Sequence, residues 1–165
     1  MKSSKPWLRR HVTDAFVRRA KAQGYRSRAA YKLLEFTTKD KLLKPGMRVL
    51  DLGAAPGGWS QVAVEKVGPG GKVVAVDLLS MKPIHAAVML KGDFREADLE
   101  RALGGRADVV LSDMLPNVTG IASVDQARAK VLTLAAIDLC KKLLKPEGAF
   151  LVKVFHGEDF DEVLG

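Results

Sequence analysis

Four aspartates stand at or near the ends of apolar segments in this 165-residue sequence: Asp51, Asp77, Asp93 and Asp113. If these segments are parallel strands of an α/β sheet, their carboxyl ends meet along one edge, where such sheets bind ligands. A single aspartate at a strand end commonly caps a helix or forms a turn. Four together favour a shared acidic ligand pocket over independent capping.

A lysine lies among apolar residues in the segment GAFLVKVFHG, residues 148–157. The segment is typical of a buried strand, in which a charged ammonium is rarely found. Lys153 is therefore either an edge-strand lysine whose stem packs while its head reaches water, or a residue that the chemistry requires.

The turn after the first apolar segment reads DLGAAPGGWS, residues 51–60, and restricts the class of ligand. A strand, a glycine turn and a helix in succession let the backbone approach a ligand closely. The turn is not a GxGxxG dinucleotide motif, because Ala55 stands two residues after Gly53. Trp59 occupies the place of the lysine that a triphosphate-binding loop needs. Both comparisons disfavour ligands that carry a polyphosphate.

The class of ligand that the turn still allows is a nucleoside without a polyphosphate. Asp77, at the end of the second apolar segment, is placed to accept hydrogen bonds from ribose hydroxyls, and Asp93 is near enough for an adenine amine. S-adenosylmethionine fits this description, since its sulfonium and ammonium groups favour acidic surroundings.

The elements that must position these residues alternate along the chain. Strand, helix, strand repeated in this way predicts a single α/β domain with a doubly wound, mostly parallel sheet. The only cysteine, Cys140, excludes an internal disulfide and is predicted to pack in the core. The predicted strands are 47–53, 71–79, 86–94, 107–114 and 148–155, and the predicted helices are 28–38, 59–67, 95–103 and 124–144, the last ending at KPEG.

The net charge of +8 is concentrated at the amino terminus. Residues 1–32 contain ten basic residues and one acidic residue, a net charge of +9, and the other 133 residues sum to −1. A basic arm on a neutral body predicts contact with a nucleic-acid backbone. A solvated helical face and a mitochondrial transit peptide are the alternatives. No apolar run approaches the roughly 18 residues of a membrane span, so a soluble protein is expected.

Several motifs together resemble one family: SRAAYKLLE, VLDLGAAPGGWSQV, KGDF, SDMLPN and FLVKVFHGEDFDE. In order and spacing they are similar to the FtsJ-type bacterial 23S ribosomal RNA ribose 2'-O-methyltransferases. The resemblance implies a Rossmann-like, class I S-adenosylmethionine-dependent methyltransferase domain at 28–165 and an RNA-contacting arm at 1–27. It implies cofactor binding by Gly57, Trp59, Asp77, Asp93 and Asp113, and catalysis by Lys32, Asp113 and Lys153.

The implied reaction is methyl transfer to the 2'-hydroxyl of a uridine in large-subunit (23S) ribosomal RNA, and it gives Lys153 a role. This hydroxyl is a poor nucleophile and must lose its proton as it attacks, so a base is needed. Burial and a second ammonium at Lys32 would favour the neutral amine of Lys153, while Asp113 would oppose them and orient the group. Lys32 would also steer the phosphate or hydroxyl.

The resemblance carries further expectations. The protein is expected to bind ribosomal RNA within the assembled large subunit. It is expected to be a monomer in the bacterial cytoplasm, and a mitochondrial location is less favoured. No metal is expected, because the three histidines, His11, His85 and His156, lack metal-like spacing.

One departure from the family pattern concerns the carboxyl terminus. Family members continue through another helix and two final strands, which carry a further catalytic glutamate, whereas this sequence stops at Gly165. The C-terminal strands are therefore expected to be missing, leaving the edge of the fifth strand exposed. An RNA-binding module that keeps the cofactor pocket but turns over slowly is thus the alternative to an active enzyme.

Overall fold

The computed structural model describes residues 24–114 and 120–153, which form five strands flanked by four helices. The side chains that were expected to act chemically lie at the ends of these strands or on the first helix. In chain order the elements are α1 (Ala29–Lys39), β1 (Arg48–Leu52), α2 (Gly58–Val67), β2 (Lys72–Asp77), β3 (Ala87–Lys91), α3 (Leu99–Leu103), β4 (Ala107–Ser112), α4 (Ala122–Leu143) and β5 (Leu144–Val152).

The strands form one sheet in the order β3-β2-β1-β4-β5, and every neighbouring pair is parallel. The chain runs outward from β1 through β2 to β3 and then crosses to β4 on the other side of β1. This reversal between β1 and β4 is the point at which doubly wound sheets open a ligand crevice. The predicted fold class and all five predicted strands are confirmed.

Alternate residues of the central strands face two separate cores. Val49 of β1 packs with α1 and α2, whereas Leu50 and Leu52 pack with α3 and α4. This two-residue period places Asp51 on the α2 side of the sheet, where it is buried. Cys140 of α4 is buried in the second core, as predicted, and burial raises the pKa of its thiol to about 12.

Helix α1 covers the α2 side of the sheet and carries Lys32. Its residues Ala30 and Leu33 are completely buried against the β1–α2 core. The indole Nε1 of Trp59 donates a hydrogen bond of 2.8 Å to the carbonyl oxygen of Ala29. Apolar packing and this bond therefore fix the helix that positions Lys32.

Two predicted boundaries differ from the structure by four residues. Strand β5 begins at Leu144, directly after α4, because the KPEG residues lie within the strand and form a bulge. The register shows the bulge: Ala107 pairs with Leu144, and two residues later in β4, Val109 pairs with Ala149. The Nζ atom of Lys145 donates to Asp108 Oδ1 at 2.9 Å and ties the bulge to β4. The bulged strand stands at one edge of the described sheet, and the exposure of that edge stays a prediction.

Helix α3 begins at Leu99 instead of residue 95. The carboxylate of Asp98 accepts a hydrogen bond from the backbone N–H of Arg101 at 3.2 Å and caps the helix there. The four residues before it are left to form the turn that follows β3.

We predict that Leu33→Ala destabilises the protein by about 2–5 kcal/mol, because it leaves a cavity beneath α1. Leu134→Ala on α4, where the leucine is 51% exposed, should change the free energy of unfolding by no more than about 0.5 kcal/mol. Urea unfolding measures both values. Equal effects of the two substitutions would contradict the packing of α1 on the sheet.

Candidate active site

Two clefts meet at the side chains of Asp113 and Lys153. The first, called here the strand-end cleft, opens at the carboxyl ends of β1, β2 and β4 and has a volume of about 390 Å³. The second, the α1 cleft, lies beside helix α1 and has a volume of about 500 Å³. The strand-end cleft is lined by Gly53, Ala55, Asp77, Leu79, Asp93 and Met114 among others, the α1 cleft by Arg28, Tyr31, Lys32, Glu35 and Trp59, and both by Asp113 and Lys153.

The strand ladder places Asp113 and Lys153 side by side. The backbone N–H of Lys153 donates to the Ser112 carbonyl at 2.8 Å, and that of Asp113 to the Leu52 carbonyl at 3.4 Å, one residue beyond the ends of their strands. Lys153 Nζ then lies 3.6 Å from Asp113 Oδ1, with 35% of the lysine side chain and 22% of the aspartate side chain exposed. The lysine head therefore reaches both clefts.

Asp113 is the more buried partner of this pair. Burial raises the pKa of its carboxyl group, and the positive charge of Lys153 acts in the opposite direction. Its Oδ1 atom is buried and makes no hydrogen bond shorter than 3.5 Å within residues 24–114 and 120–153. A ligand that brings a positive charge or a hydrogen-bond donor to this oxygen would stabilise the buried carboxylate.

Lys32 lines the α1 cleft from helix α1. Its Nζ atom lies 3.3 Å from Glu35 Oε2 and 5.3 Å from the centre of the Phe36 ring. The structure thus brings all three predicted catalytic residues, Lys32, Asp113 and Lys153, to one cleft.

Two further predicted aspartates line the strand-end cleft while also organising its loops. Asp77 accepts hydrogen bonds from the backbone N–H groups of Ala55, at 2.9 Å, and Leu79, at 2.8 Å. Asp93 is held by hydrogen bonds from the Arg95 guanidinium, which lower the pKa of its carboxyl group. Turn formation and pocket lining, posed above as alternatives, are therefore combined in the same residues.

Asp51, the remaining strand-end aspartate, lies outside the strand-end cleft. It is buried beneath the site, and the Ser60 hydroxyl donates to its Oδ2 at 2.6 Å. Burial raises the pKa of Asp51 to about 7; the Ser60 hydrogen bond opposes the rise, and the nearby charges of Asp113 and Asp77 add to it. The expectation of one pocket for all four aspartates is thus wrong for Asp51, whose place on the α2 side follows from the strand period.

Gly57 and Trp59, implied as cofactor-binding residues by the resemblance, do not line the strand-end cleft. Gly57 precedes α2 with a φ of 118°, and a side chain there would start 2.9 Å from Ile84 Cδ1. Trp59 is buried against α1 and lines the α1 cleft. Gly57 therefore shapes the glycine turn, and Trp59 joins α2 to the helix that carries Lys32.

Sequence reasoning missed Arg26, which was assigned only to the basic arm. Its guanidinium donates hydrogen bonds to the carbonyl oxygens of Pro56, Lys82 and Pro83. Pro56 and Pro83 were the only sequence signal for this contact, and a weak one. Proline has no N–H, so segments that contain it form fewer backbone hydrogen bonds and leave carbonyl oxygens for side-chain donors.

The family model for FtsJ-like methyltransferases matches residues 25–165. The chain belongs to the FtsJ-like methyltransferase family. This confirms the resemblance and the prediction of a methyltransferase enzyme.

Curated relatives agree with this membership. Ribosomal RNA large subunit methyltransferase E of Methylobacillus flagellatus is 53% identical over 167 residues, which cover 98% of this chain and 81% of the relative. The protein of the same name from Azoarcus sp. is 54% identical over 164 residues, covering 96% of this chain and 80% of the relative.

Solved structures show the same fold. A protein from Plasmodium falciparum described as a ribosomal RNA methyltransferase superposes with a TM-score of 0.71 at 29% identity, over 81% of this chain and 80% of that one. Fibrillarin from Aeropyrum pernix, solved with S-adenosylmethionine bound, has a TM-score of 0.54 at 19% identity, over 78% of this chain and 53% of its own, and shows the fold alone.

The described residues contain neither a metal-binding cluster nor a helix that could span a membrane. No group of three or more His, Cys, Asp or Glu side chains in residues 24–114 and 120–153 could hold a metal ion. In the same part of the chain, no helix is both long and apolar enough to cross a membrane.

The raised pKa of Asp51 makes stability depend on pH. Between about pH 4 and 7 the unfolded carboxyl group releases its proton while the folded one keeps it, so the free energy of unfolding falls as pH rises through this window. Asp51→Asn cannot ionise, yet it still offers Ser60 an acceptor. Relative to the wild type, we expect the variant to gain on the order of 3 kcal/mol from pH 4 to pH 7.

Urea unfolding at several pH values measures this difference. Asp138→Asn, at an exposed aspartate of α4, is the matched control and should run parallel to the wild type. Parallel profiles for Asp51→Asn as well would contradict a protonated, buried Asp51.

Proposed function

We propose that this protein transfers a methyl group from S-adenosylmethionine to the 2'-hydroxyl of a uridine ribose in large-subunit ribosomal RNA. The observation that carries the proposal is the junction at Lys153 and Asp113, where two clefts large enough for two substrates share one amine and one carboxylate. The bacterial relatives, more than half identical over almost the whole chain, are named as methyltransferases of large-subunit ribosomal RNA, which supports the choice of substrate.

The strand-end cleft has the chemistry that S-adenosylmethionine requires. Asp77 would accept from the ribose hydroxyls and Asp93 from the adenine amine, while the exposed apolar side chains of Leu78 and Leu79 would be covered by the adenine ring. The buried oxygen of Asp113 would face a positively charged ligand. These residues fit the cofactor, which supplies an electrophilic methyl group on a sulfonium sulfur when it is bound.

The α1 cleft is the place for the RNA. Arg28 and Lys32 supply positive charge for phosphates, and Tyr31 and Trp59 contribute aromatic rings to its lining. The basic arm of the sequence analysis would extend this surface; its residues 1–23 lie outside the described part of the chain. RNA entering here would meet Lys153 from the side opposite the cofactor.

Lys153 would remove the proton as the new bond forms. In its neutral form Nζ accepts the proton of the 2'-hydroxyl, the oxygen forms a bond to the methyl carbon, and the electron pair of the breaking carbon–sulfur bond stays on sulfur. Lys153 leaves this step as an ammonium. Its side chain is 35% exposed, so the proton can pass to solvent before the next turnover.

Asp113 and Lys32 would assist without taking the proton. The Asp113 carboxylate, 3.6 Å from Nζ, orients the amine and stabilises the ammonium that forms. Lys32, paired with Glu35 at 3.3 Å, is placed to hold the RNA phosphate or the hydroxyl that reacts. Positioning of the hydroxyl oxygen, the methyl carbon and the sulfur in line supplies the rest of the rate.

We expect Lys153→Ala to lower the rate of methyl transfer by about 10²–10⁴-fold, the usual contribution of a general base. The assay follows radiolabelled methyl from S-adenosylmethionine into large ribosomal subunits that lack the modification. Lys141→Ala, at an exposed lysine of α4, is the control and should keep full activity. Calorimetry should show that Lys153→Ala still binds the cofactor.

Undiminished transfer by Lys153→Ala would exclude this lysine as the base. Label in a base or in a phosphate instead of a ribose 2'-oxygen would exclude the proposed acceptor. Cofactor and RNA binding by the wild type without any transfer would favour the RNA-binding module over the enzyme.

A further inference from the structure

Arg26 joins two loops that come from different parts of the sheet. Its Nη1 donates to the Pro56 carbonyl at 3.1 Å and also to the Lys82 carbonyl, and its Nη2 donates to the Pro83 carbonyl at 2.8 Å. Pro56 belongs to the glycine turn after β1, and residues 82 and 83 belong to the segment between β2 and β3. The planar fork of an arginine can serve several acceptors at once, as a lysine cannot.

The segment after β2 has little else to hold it. Residues 80–83 make no backbone-to-backbone hydrogen bond in the described structure, and Pro83 has no N–H to donate. Among the described residues, the Arg26 side chain is the donor to the carbonyls of Lys82 and Pro83. The chain also leaves room for it: a side chain on Gly57 would start 3.1 Å from Arg26 Nη1.

The same two loops line the strand-end cleft. Ala55 of the glycine turn and Leu78 and Leu79 after β2 are part of its wall. From inside the cleft, Asp77 binds the N–H groups of Ala55 and Leu79. Arg26 binds the two loops on the outside, so the wall of the cofactor cleft is held from both faces.

Arg26 also lies on the segment that leads into the RNA side of the site. Its backbone N–H donates to Gln61 Oε1 at 2.7 Å, and Gln61 Nε2 donates to the Gly24 carbonyl at 3.0 Å. Arg28 and Lys32, two and six residues later, line the α1 cleft. A movement of this segment when RNA binds would therefore act directly on the loops of the other cleft.

We infer that Arg26 is a positioning residue that couples RNA binding in the α1 cleft to cofactor binding in the strand-end cleft. It acts through backbone carbonyls and does not touch the reacting atoms. This inference rests on the proposed function, because it takes the two clefts as the cofactor and RNA sites. Coupling of this kind is reciprocal: RNA tightens cofactor binding by the same factor by which cofactor tightens RNA binding.

The test compares Arg26→Lys, which keeps the charge but not the fork, with Arg26→Gln, which loses both. Arg106→Lys, at an exposed arginine before β4, is the matched control. Calorimetry gives the dissociation constant of S-adenosylhomocysteine with and without an RNA fragment of the large subunit. Hydrogen exchange of the unliganded protein reports on residues 53–57 and 78–84.

For the wild type we expect RNA to tighten S-adenosylhomocysteine binding at least about fivefold. Both Arg26 variants should weaken its binding to the free protein about tenfold, raise exchange only in the two loops, and reduce the coupling factor towards one. With both substrates saturating, kcat of Arg26→Lys should stay within about threefold of the wild type, so that the loss appears in KM for the cofactor. Arg106→Lys should match the wild type in every measurement.

Three results would overturn the inference. One is an Arg26→Lys protein with unchanged cofactor affinity and coupling; if Arg26→Gln then binds RNA more weakly, Arg26 is a phosphate contact. Another is faster exchange throughout the sheet, which would make Arg26 a general structural brace. The third is a wild type without coupling. A wild type that binds no S-adenosylhomocysteine would instead refute the proposed function itself.

Discussion

The site depends on the parallel pairing of β4 with β1 and β5. The hydrogen-bond ladder continues one residue past the strand ends. The carbonyl oxygen of Ser112 accepts a hydrogen bond from the N–H of Lys153, and the carbonyl oxygen of Leu52 accepts one from the N–H of Asp113. The side chains of Asp113 and Lys153 must then point into the crevice where the strand order reverses, 3.6 Å apart at Nζ and Oδ1. Both clefts end at this pair, so the other residues of the site act by positioning ligands against it.

Acidic groups are concentrated beneath and beside this pair. Asp51 lies under the site, and burial raises the pKa of its carboxyl group to about 7, with a further contribution from the charges of Asp113 and Asp77. Burial also raises the pKa of Asp113. Lys153 offsets part of this cost, and a cationic methyl donor in the strand-end cleft would offset more. The burial that makes these carboxyl groups costly to ionise at neutral pH thus favours a positively charged ligand beside them.

Local patterns were sufficient to predict the sheet, and the family resemblance named the three residues that the structure brings to one cleft, Lys32, Asp113 and Lys153. Apolar runs predicted the five strands, and aspartates at or near the ends of four of them marked the carboxyl ends. The burial of Asp51 on the α2 side of the sheet was missed, although the two-residue strand period carried the information. The KPEG bulge and the bridge from Arg26 to Pro56 and Pro83 could not be predicted, because they depend on contacts between distant segments that no local pattern encodes.

A crystal structure of the protein with S-adenosylhomocysteine bound would test this arrangement most directly. We predict that the ligand lies in the strand-end cleft, with the ribose hydroxyls on Asp77, the adenine amine on Asp93 and the sulfur facing the space between Asp113 and Lys153, open to the α1 cleft. A ligand seated in the α1 cleft, or a sulfur turned away from the Lys153 amine, would contradict it.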